Sequence, residues 1–493
     1  MIVKNLLKDI KYCVLQGTDN TEIGSITWDS RKAREGSLFI CVKGKNVDRH
    51  EFAADAVKAG ANVLIIEHEV SDIPKKVSVI QVNNTKEVMA RIASIYYGEP
   101  SEYMNLIGIT GTNGKTSVSW FIARILEVSG RKTGIIGTIE NRAGNTIMKV
   151  EKLNPTTPDS IELQATLREM KEAGVTDVAM EVTSSALENH RVDHCNFDID
   201  VFTNLTQDHL DEHGTMENYK NAKLKLFKLC RRGVVNADEP VHSEIINNSS
   251  CECILSYGIN NAADFMAEDI EYTISGVYFT LNHHGFRSRI HLKVPGKFSV
   301  YNALAAMAAC YLSGLTLEQI IKGIGSVEGV KGRFEAIPNS KGCLVIVDYA
   351  HTPDGLTNIL SSAREIAKKR IITVFGCGGD RDTGKRPLMG EIAGNWSDLC
   401  FLTSDNPRTE SPSKIIEEIE VGISKTNCPY EKIENRKNAI FRALDNARPG
   451  DIVVIAGKGH ESYQIFANHT IHFDDGEVVS EYFDGQKWVL EKR

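Results

Sequence analysis

Residues 105–130 read NLIGITGTNGKTSVSWFIARILEVSG. The opening NLIGIT is a compact apolar run of the kind that forms a buried strand. After it, Val118, Phe121, Ile122, Ile125 and Leu126 recur at the helical period, and Gly130 supplies the residue that commonly closes a helix. The loop GTNGKT therefore joins a strand to a helix N-terminus, where free backbone N–H groups and the helix dipole favour a phosphate. Gly111 and Gly114 let the backbone approach such a ligand, Lys115 can reach terminal phosphates, and the Thr116 hydroxyl suits magnesium. The phosphate-loop pattern asks for one further glycine, where this chain has Ile109. An ordinary tight turn is the competing reading, and the strand and helix on either side weigh against it.

A chain of 493 residues is too long for one ordinary core and predicts about two to four domains. Its 42% hydrophobic and 25% charged residues are globular values, and no apolar run approaches the ~20 residues of a membrane span. The net charge of -8 gives no general attraction to nucleic acid or an anionic membrane, so anionic ligands need locally placed cations. The start, MIVKNLLKDIKYCVLQG, breaks its apolar residues with Lys4, Lys8, Asp9 and Lys11, which argues against a secretory signal and predicts a short amphipathic helix. The 11 cysteines are dispersed without a C-x-x-C, as expected of reduced thiols in a cytoplasmic protein.

Three regions follow from the punctuation. Residues 1–100 alternate strand-like and helix-like pieces and end in YYGEPSEYMN; residues 101–332 continue the alternation, which predicts a parallel sheet with crossover helices; residues 333–493 repeat strand, glycine-bearing loop and helix. In a parallel sheet the strand carboxyl ends share one edge, where ligands bind. Glu181 ends the apolar run VTDVAMEV, and DIDVFTNLTQDHLDEHG delivers Asn204, Asp208 and His209 after another. His209 and His213 alone could be a zinc pair or two polar residues of one helix face, but the H-E-x-x-H pattern is absent.

TGTNGKT, NLTQDHLDEHG, MENYKNAKLKLF, PGKFSVYNALAA, GRFE and DYAHTPDGL occur in the order seen in the Mur ligases, the ATP-dependent amide-bond enzymes of peptidoglycan precursor synthesis. The resemblance covers nearly the whole chain. It is strongest to the MurE type, which adds the third amino acid to UDP-N-acetylmuramoyl-L-alanyl-D-glutamate. In that family the first phosphate-loop glycine is commonly replaced, as here by Ile109. The resemblance implies an α/β protein of three domains: a UDP-sugar-binding domain over 1–100, a central P-loop domain with a parallel sheet over 101–332, and a Rossmann-like amino-acid-binding domain over 333–493. It implies a cytoplasmic monomer.

By resemblance, Gly111, Thr112, Asn113, Gly114, Lys115, Thr116 and Ser117 hold ATP phosphates, Asn302 contacts adenine, and Arg333, Asp348 and His351 are further nucleotide contacts. Thr116, Glu181, His209 and Lys223 serve magnesium, Lys223 as the carbamate N6-carboxylysine; Lys115, Glu181, His209 and Lys223 form the catalytic group. A bare ammonium would repel the metal, whereas a carbamate offers it an anionic oxygen. Ser30, Lys45, Asn46 and Val47 correspond to uridine-nucleotide contacts, and Thr156, Thr157, Thr183 and Arg191 to muramoyl-dipeptide contacts. The usual E-V-S-S-H segment reads EVTSS here, so Thr183 can replace a serine hydroxyl while Ser185 cannot supply an imidazole. Asn189 stands where some members have glutamine.

The third region bears on the amino acid. CLVIV, RIITVFG, DLCFLTS and DIVVIAG each end in a polar loop, and four such loops on a parallel sheet form one crevice. Gly376 and Gly378 hint at a dinucleotide fingerprint that Arg381 breaks. Arg381, Asp405, Asn406, Arg408 and Glu461 together suit a zwitterionic amino acid, because guanidinium pairs with carboxylate and acid with ammonium; scattered surface ion pairs are the bland alternative. DNPRTE resembles the motif of the meso-diaminopimelate-adding type, with Arg408 on the carboxylate that lysine lacks and Arg381, Asp405, Asn406, Pro407, Gly457 and Glu461 as the remaining contacts. The alternatives are the L-lysine-adding ligase, a MurF-type dipeptide ligase and a plain P-loop ATPase.

Overall fold

The computed structural model describes residues 1–44, 47–151, 153–206, 210–273 and 275–490. Three large sheets organise it. The first takes its strands in the order Tyr12–Gln16, Ser78–Val82, Ala61–Ile66, Ser37–Ile40 and Ser25–Thr27, parallel except for the first pair. ANVLII and SLFI are apolar throughout because both faces are covered. Leu38, Ile40, Val63 and Ile65 pack with Leu6 and Ile92 on one side, and Phe39, Leu64 and Ile66 with Ala53 and Ala56 on the other.

The amphipathic helix expected over the opening residues is shorter than its pattern. Only Val3–Leu6 is helical; Asp9 turns the chain at φ 66°, and Tyr12–Gln16 is an edge strand with Cys13, Val14 and Leu15 exposed. Four residues gain little as a helix, whereas the ladder to Ser78–Val82 satisfies the backbone of YCVLQ.

The second sheet has a parallel core in the order Cys230–Asn236, Phe197–Phe202, Asn105–Thr110, Asp177–Glu181 and Thr133–Ile136. Asn105–Thr110 is central, and the helix Lys115–Val128 follows it across the loop. The expectation of pure strand–helix alternation up to residue 332 is corrected here. Phe265–Thr273, Gly276–His283 and Phe286–Leu292 form an antiparallel meander whose tight turn uses His284 at φ 47° and Gly285 at φ 88°. Gly276–His283 alternates nearly regularly between buried and half-buried positions, the pattern of a sheet covered on one face.

The third sheet runs Glu335–Ile337, Leu344–Asp348, Ile452–Ala456, Ile371–Phe375, Leu399–Leu402 and Tyr430–Lys432; all neighbours are parallel except the first pair. Helices cover both faces, with Leu356, Leu360, Met389 and Ile419 on one and Ile440, Leu444 and Val479 on the other. All four anticipated runs are strands of this sheet, so their following loops lie on one edge.

Contacts divide the chain into two compact units: Met1–Val235 with Glu239–Leu255 and Ala308–Thr316, and Asn236–Asp238 with Ser256–Met307 and Leu317–Arg493. Among the described residues no helix is long and apolar enough to cross a membrane.

Candidate active site

The phosphate loop is built by its glycines and by the neighbouring strand. Gly114 caps the helix Lys115–Val128 at φ 88°, a left-handed conformation that other residues resist. Gly111 has φ 142°, and a Cβ there would stand 1.9 Å from the Thr203 hydroxyl. The segment after Phe197–Phe202 clamps the loop: the Thr203 hydroxyl donates to the Asn113 carbonyl at 2.6 Å, Asn113 N–H donates to Asn204 Oδ1 at 2.9 Å, and Thr112 N–H to the Asn204 carbonyl at 2.9 Å.

Two ammonium groups converge on this loop. Lys115 Nζ donates to the carbonyls of Gly111 and Thr112, each at 2.8 Å, and Lys223 Nζ donates to the Gly111 carbonyl at 2.9 Å. Lys223 is buried, with Nζ 4.5 Å from the ring centre of Tyr219. Glu181, buried at the end of its strand, accepts from the Thr116 hydroxyl at 3.0 Å, the Thr138 hydroxyl at 2.8 Å and Thr138 N–H at 2.8 Å. Gly137 leaves room for it, since a Cβ there would lie 2.3 Å from Glu181 Oε1. Hard oxygen donors gathered beside a phosphate loop fit magnesium. The Lys223 ammonium does not fit until it is a carbamate. Ser117 follows Thr116 in the first turn of the same helix. His209 lies outside the described residues. His213 is buried, its Nε2 2.9 Å from the Ser184 hydroxyl; its Nδ1 is 3.2 Å from Glu188 without hydrogen-bond geometry, so the ring is tied to the helix Ser184–Glu188 through Nε2.

The muramoyl-dipeptide candidates adjoin Glu181. The Thr157 hydroxyl donates to the Glu181 carbonyl at 2.9 Å and lies 3.3 Å from that of Thr183, while the Thr156 hydroxyl is 3.1 Å from that of Thr138. Thr183 caps the helix Ser184–Glu188 by accepting from Ala186 N–H, the job a serine would do. Arg191 pairs with Asp159 at 3.0 Å. Asn189 donates to the Ser185 carbonyl and accepts from Lys86 of the first sheet's helix Thr85–Tyr96 at 2.8 Å.

In the first region, Ser30 opens a short 3-10 turn capped by Asp29, and Val47 is exposed. Lys45 and Asn46 lie outside the described residues. Nearby, Asp48, His50 and His68 come close enough to suggest a metal site. The hydrogen bonds argue otherwise: His50 Nε2 accepts from Glu67 N–H at 2.9 Å, so Nδ1 carries the proton it shares with Asp48 at 2.5 Å, and neither nitrogen is left for a metal.

In the second unit, Asn302 is buried on the helix Lys297–Leu312, and Arg333 lies over the Tyr349 ring at 4.7 Å. Asp348 accepts from Phe334 N–H at 2.7 Å and Ala350 N–H at 2.8 Å; burial pushes its carboxyl up, against the pull of Arg333. His351 Nδ1 is 2.8 Å from the Tyr349 carbonyl.

The loops after Ile371–Phe375, Leu399–Leu402 and Ile452–Ala456 interlock beside it. Gly379 N–H donates to the Asn406 carbonyl at 2.9 Å, and Arg408, at φ 51°, donates from its guanidinium to the Gly379 carbonyl at 2.7 Å. Asn406 Nδ2 donates to Glu461 Oε2 at 2.9 Å. Gly457, at φ 119°, admits Asp405, whose Oδ2 would be 2.7 Å from a Cβ there. Arg381 is exposed and stands with Arg408 beside Gly378. The anticipated residues Arg381, Asp405, Asn406, Pro407, Arg408, Gly457 and Glu461 therefore share one site.

Two residues that hold this site were not anticipated. Arg386, fully buried, grips Glu410 through two bonds of 2.8 and 2.9 Å and Glu418 through one of 2.8 Å; the guanidinium beside Glu410 lowers that carboxyl to about 2. Lys458, also fully buried, lies among Asn406, Glu461 and Asp405. Arg386 left a trace in the sequence: with Met389, Gly390, Ala393 and Gly394 it occupies the buried stripe of the helix Lys385–Trp396, a charge where an apolar residue is expected. Lys458, in a loop, left none.

Family models match in three consecutive pieces: a Mur ligase family catalytic domain over residues 22–97, a Mur ligase middle domain over 109–310 and a Mur ligase glutamate ligase domain over 332–459. The UDP-N-acetylmuramoyl-L-alanyl-D-glutamate--2,6-diaminopimelate ligase 2 of Clostridium acetobutylicum is 46% identical over 98% of this chain and 99% of its own. The chain belongs to the Mur ligase family. The corresponding ligase of Caldanaerobacter subterraneus is 46% identical over 98% of both chains. A solved UDP-N-acetylmuramoyl-L-alanyl-D-glutamate--2,6-diaminopimelate ligase superposes with a TM-score of 0.69 at 33% identity, covering 94% of this chain and 95% of that one. MurF of Acinetobacter baumannii, at 19% identity and a TM-score of 0.64 over 98% of both chains, shares the Mur ligase fold.

Proposed function

We propose that this Mur ligase adds meso-diaminopimelate to UDP-N-acetylmuramoyl-L-alanyl-D-glutamate, as a cytoplasmic monomer in peptidoglycan precursor synthesis. The observation that carries the choice of amino acid is the arrangement after Leu399–Leu402. Arg408 is held against the Gly379 carbonyl beside Asp405, Asn406 and Glu461, which supplies cationic and anionic partners for an amino-acid head group. The relatives' printed names agree with this reading. The proposed domain bounds are 1–100, 101–332 and 333–493, a reading supported by the presence of three large sheets and by the order of the three family-model matches.

ATP would supply the γ-phosphoryl group that makes the substrate's free carboxylate an acyl phosphate with release of ADP, magnesium would offset the phosphate charge, and the incoming amine would then attack the acyl carbon and release inorganic phosphate. The chain's own part is positioning and charge. The loop from Gly111 to Ser117 offers backbone N–H groups to the phosphates, and Lys115 turns from its loop carbonyls to their oxygens. Thr116 and Glu181 would hold magnesium together with His209 and Lys223, the latter once carbamylated, because only then does it offer an anionic oxygen. Asn302, Arg333, Asp348 and His351 are assigned to the nucleotide, Ser30 and 45–47 to uridine, and Thr156, Thr157, Thr183 and Arg191 to the dipeptide. Purified protein with ATP, magnesium and the UDP-muramoyl dipeptide tests this: ADP release should begin only when diaminopimelate is added. ADP release indifferent to both substrates would leave a P-loop ATPase.

A further inference from the structure

Lys458 presents a problem in electrostatics that its surroundings answer. Its side chain has no exposed surface, and an ammonium taken wholly out of water is stable only if its three N–H groups find partners. They find Asn406 Oδ1 at 3.1 Å and Glu461 Oε2 at 3.1 Å, with Asp405 Oδ1 at 3.7 Å. Each belongs to the amino-acid site. The other fully buried cations of this unit differ: Arg436 is held by Asp475 and the Ala456 carbonyl, and Arg386 by Glu410, Glu418 and the Gly378 carbonyl. Lys458 alone among these three hydrogen-bonds directly to side chains that would touch the ligand.

The bonds fix orientation as well as charge. Asn406 Oδ1 accepts from Lys458 and from Ile465 N–H at 3.0 Å, two donors that leave the amide one way to face. Its Nδ2 is then directed at Glu461 Oε2, which also accepts from Lys458, and the three side chains close a triangle. The triangle uses one amide hydrogen of Asn406 and one carboxylate oxygen of Glu461, and the Tyr463 hydroxyl also bonds to that carboxylate, so the acid that would meet an ammonium is held from two sides. Without the ammonium, Asp405 and Glu461 would keep only the more distant charge of Arg436 and lose the cation that bonds to Glu461 directly.

We propose that Lys458 is a positioning residue of the amino-acid site, holding Asn406 and Glu461 in the arrangement that receives the ammonium and carboxylate of the incoming amino acid. This rests on the reading of that site given above. It predicts a selective defect. In Lys458→Met the KM for the amino acid should rise by about 10- to 100-fold, the usual effect of removing a group that orients a ligand-binding side chain. The KM values for ATP and for the UDP-muramoyl dipeptide should stay within about twofold, since those contacts lie on other loops. Lys458→Arg, which keeps the charge and the donors, should recover most of the loss.

The test is steady-state ADP release with each substrate varied in turn, together with the melting temperature of each variant. A rise confined to the amino-acid KM, with rescue by arginine, supports the proposal. An unchanged amino-acid KM, or all three KM values moving together with a lower melting temperature, overturns it. If the methionine variant does not fold, Lys458→Gln decides: it keeps a donor but loses the charge and should raise only the amino-acid KM, and no selective rise would overturn the proposal. The wild type is run first with meso-diaminopimelate and with L-lysine. If it ligates lysine instead, the diaminopimelate reading falls while Lys458 is judged on the lysine KM; if its ADP release is independent of any amino acid, both fall.

Discussion

At the phosphate loop the groups that would meet a ligand belong mostly to the backbone. Gly111 and Gly114 shape it, Thr203 and Asn204 hold it, Lys115 and Lys223 bond to the Gly111 carbonyl, and one carboxylate, Glu181, accepts from Thr116. At the crevice of the third sheet the groups that would meet a ligand are charged side chains, and buried cations are paired around them: Lys458 with Asn406 and Glu461, Arg386 with Glu410, Arg436 with Asp475. A phosphate has one sign of charge and a fixed shape, so backbone N–H groups at a helix end suffice. An amino acid carries both signs, so its site needs side chains of both signs, each desolvated and each requiring its own partner. The first site should tolerate side-chain change poorly at its glycines and lysine, and the second at its supporting ion pairs.

The largest expected effect is at the loop. Lys115→Ala should cut kcat by about a thousandfold or more, with the melting temperature unchanged, because it removes a cation aimed at transferring charge without disturbing the core. Retained turnover would break the comparison at its strongest point. Next comes Arg436→Met in the third sheet's domain. It leaves Asp475 buried without its partner and should cost about 3–5 kcal/mol in denaturant unfolding, and the neutral pair Arg436→Met with Asp475→Asn should recover part of that.

How much of this was legible differs between the two sites for the same reason. NLIGIT, its glycine loop and the following helix are contiguous, so strand, phosphate loop and cap all show in one local pattern. Four of the six strands of the third sheet were legible too, as apolar runs cut off by polar loops. What was not legible depended on partners far away in sequence. Lys458 reads as a surface lysine until Asn406 is known to lie against it, and YCVLQ reads as part of a helix until Ser78–Val82 is placed beside it. The meander at 265–292 was hidden by the expectation of crossover helices, although the turn HHG and the period-two pattern of GVYFTLNH were present. Arg436, like Arg386, heads a buried stripe, with Ala439, Ile440, Ala443 and Leu444.

Smaller effects sharpen the contrast. Arg408→Ala should lower the preference for diaminopimelate over lysine by about 10- to 100-fold in kcat/KM while leaving the KM for ATP alone, because a site built around a charged partner discriminates through the group left unpaired. Unchanged diaminopimelate kinetics would remove Arg408 from the site. The smallest effect is one of pH. Burial, reinforced by Asp159, raises the Glu162 carboxyl from 4.5 to about 7. The folded state therefore holds a proton that the unfolded chain releases, and stability should fall as pH rises from about 4.5 through about 7. Glu162→Gln should flatten that decline in melting temperature, more at pH 8 than at pH 5; an unaltered profile would show that another group is responsible.

The most direct measurement of the central claim is a ligation competition. Purified protein receives ATP, magnesium and UDP-N-acetylmuramoyl-L-alanyl-D-glutamate with equal meso-diaminopimelate and L-lysine, and the product is weighed by mass spectrometry. The account predicts the diaminopimelate adduct in large excess. A lysine adduct would contradict the reading of the crevice while keeping the ligase, and the absence of any adduct would contradict the account as a whole.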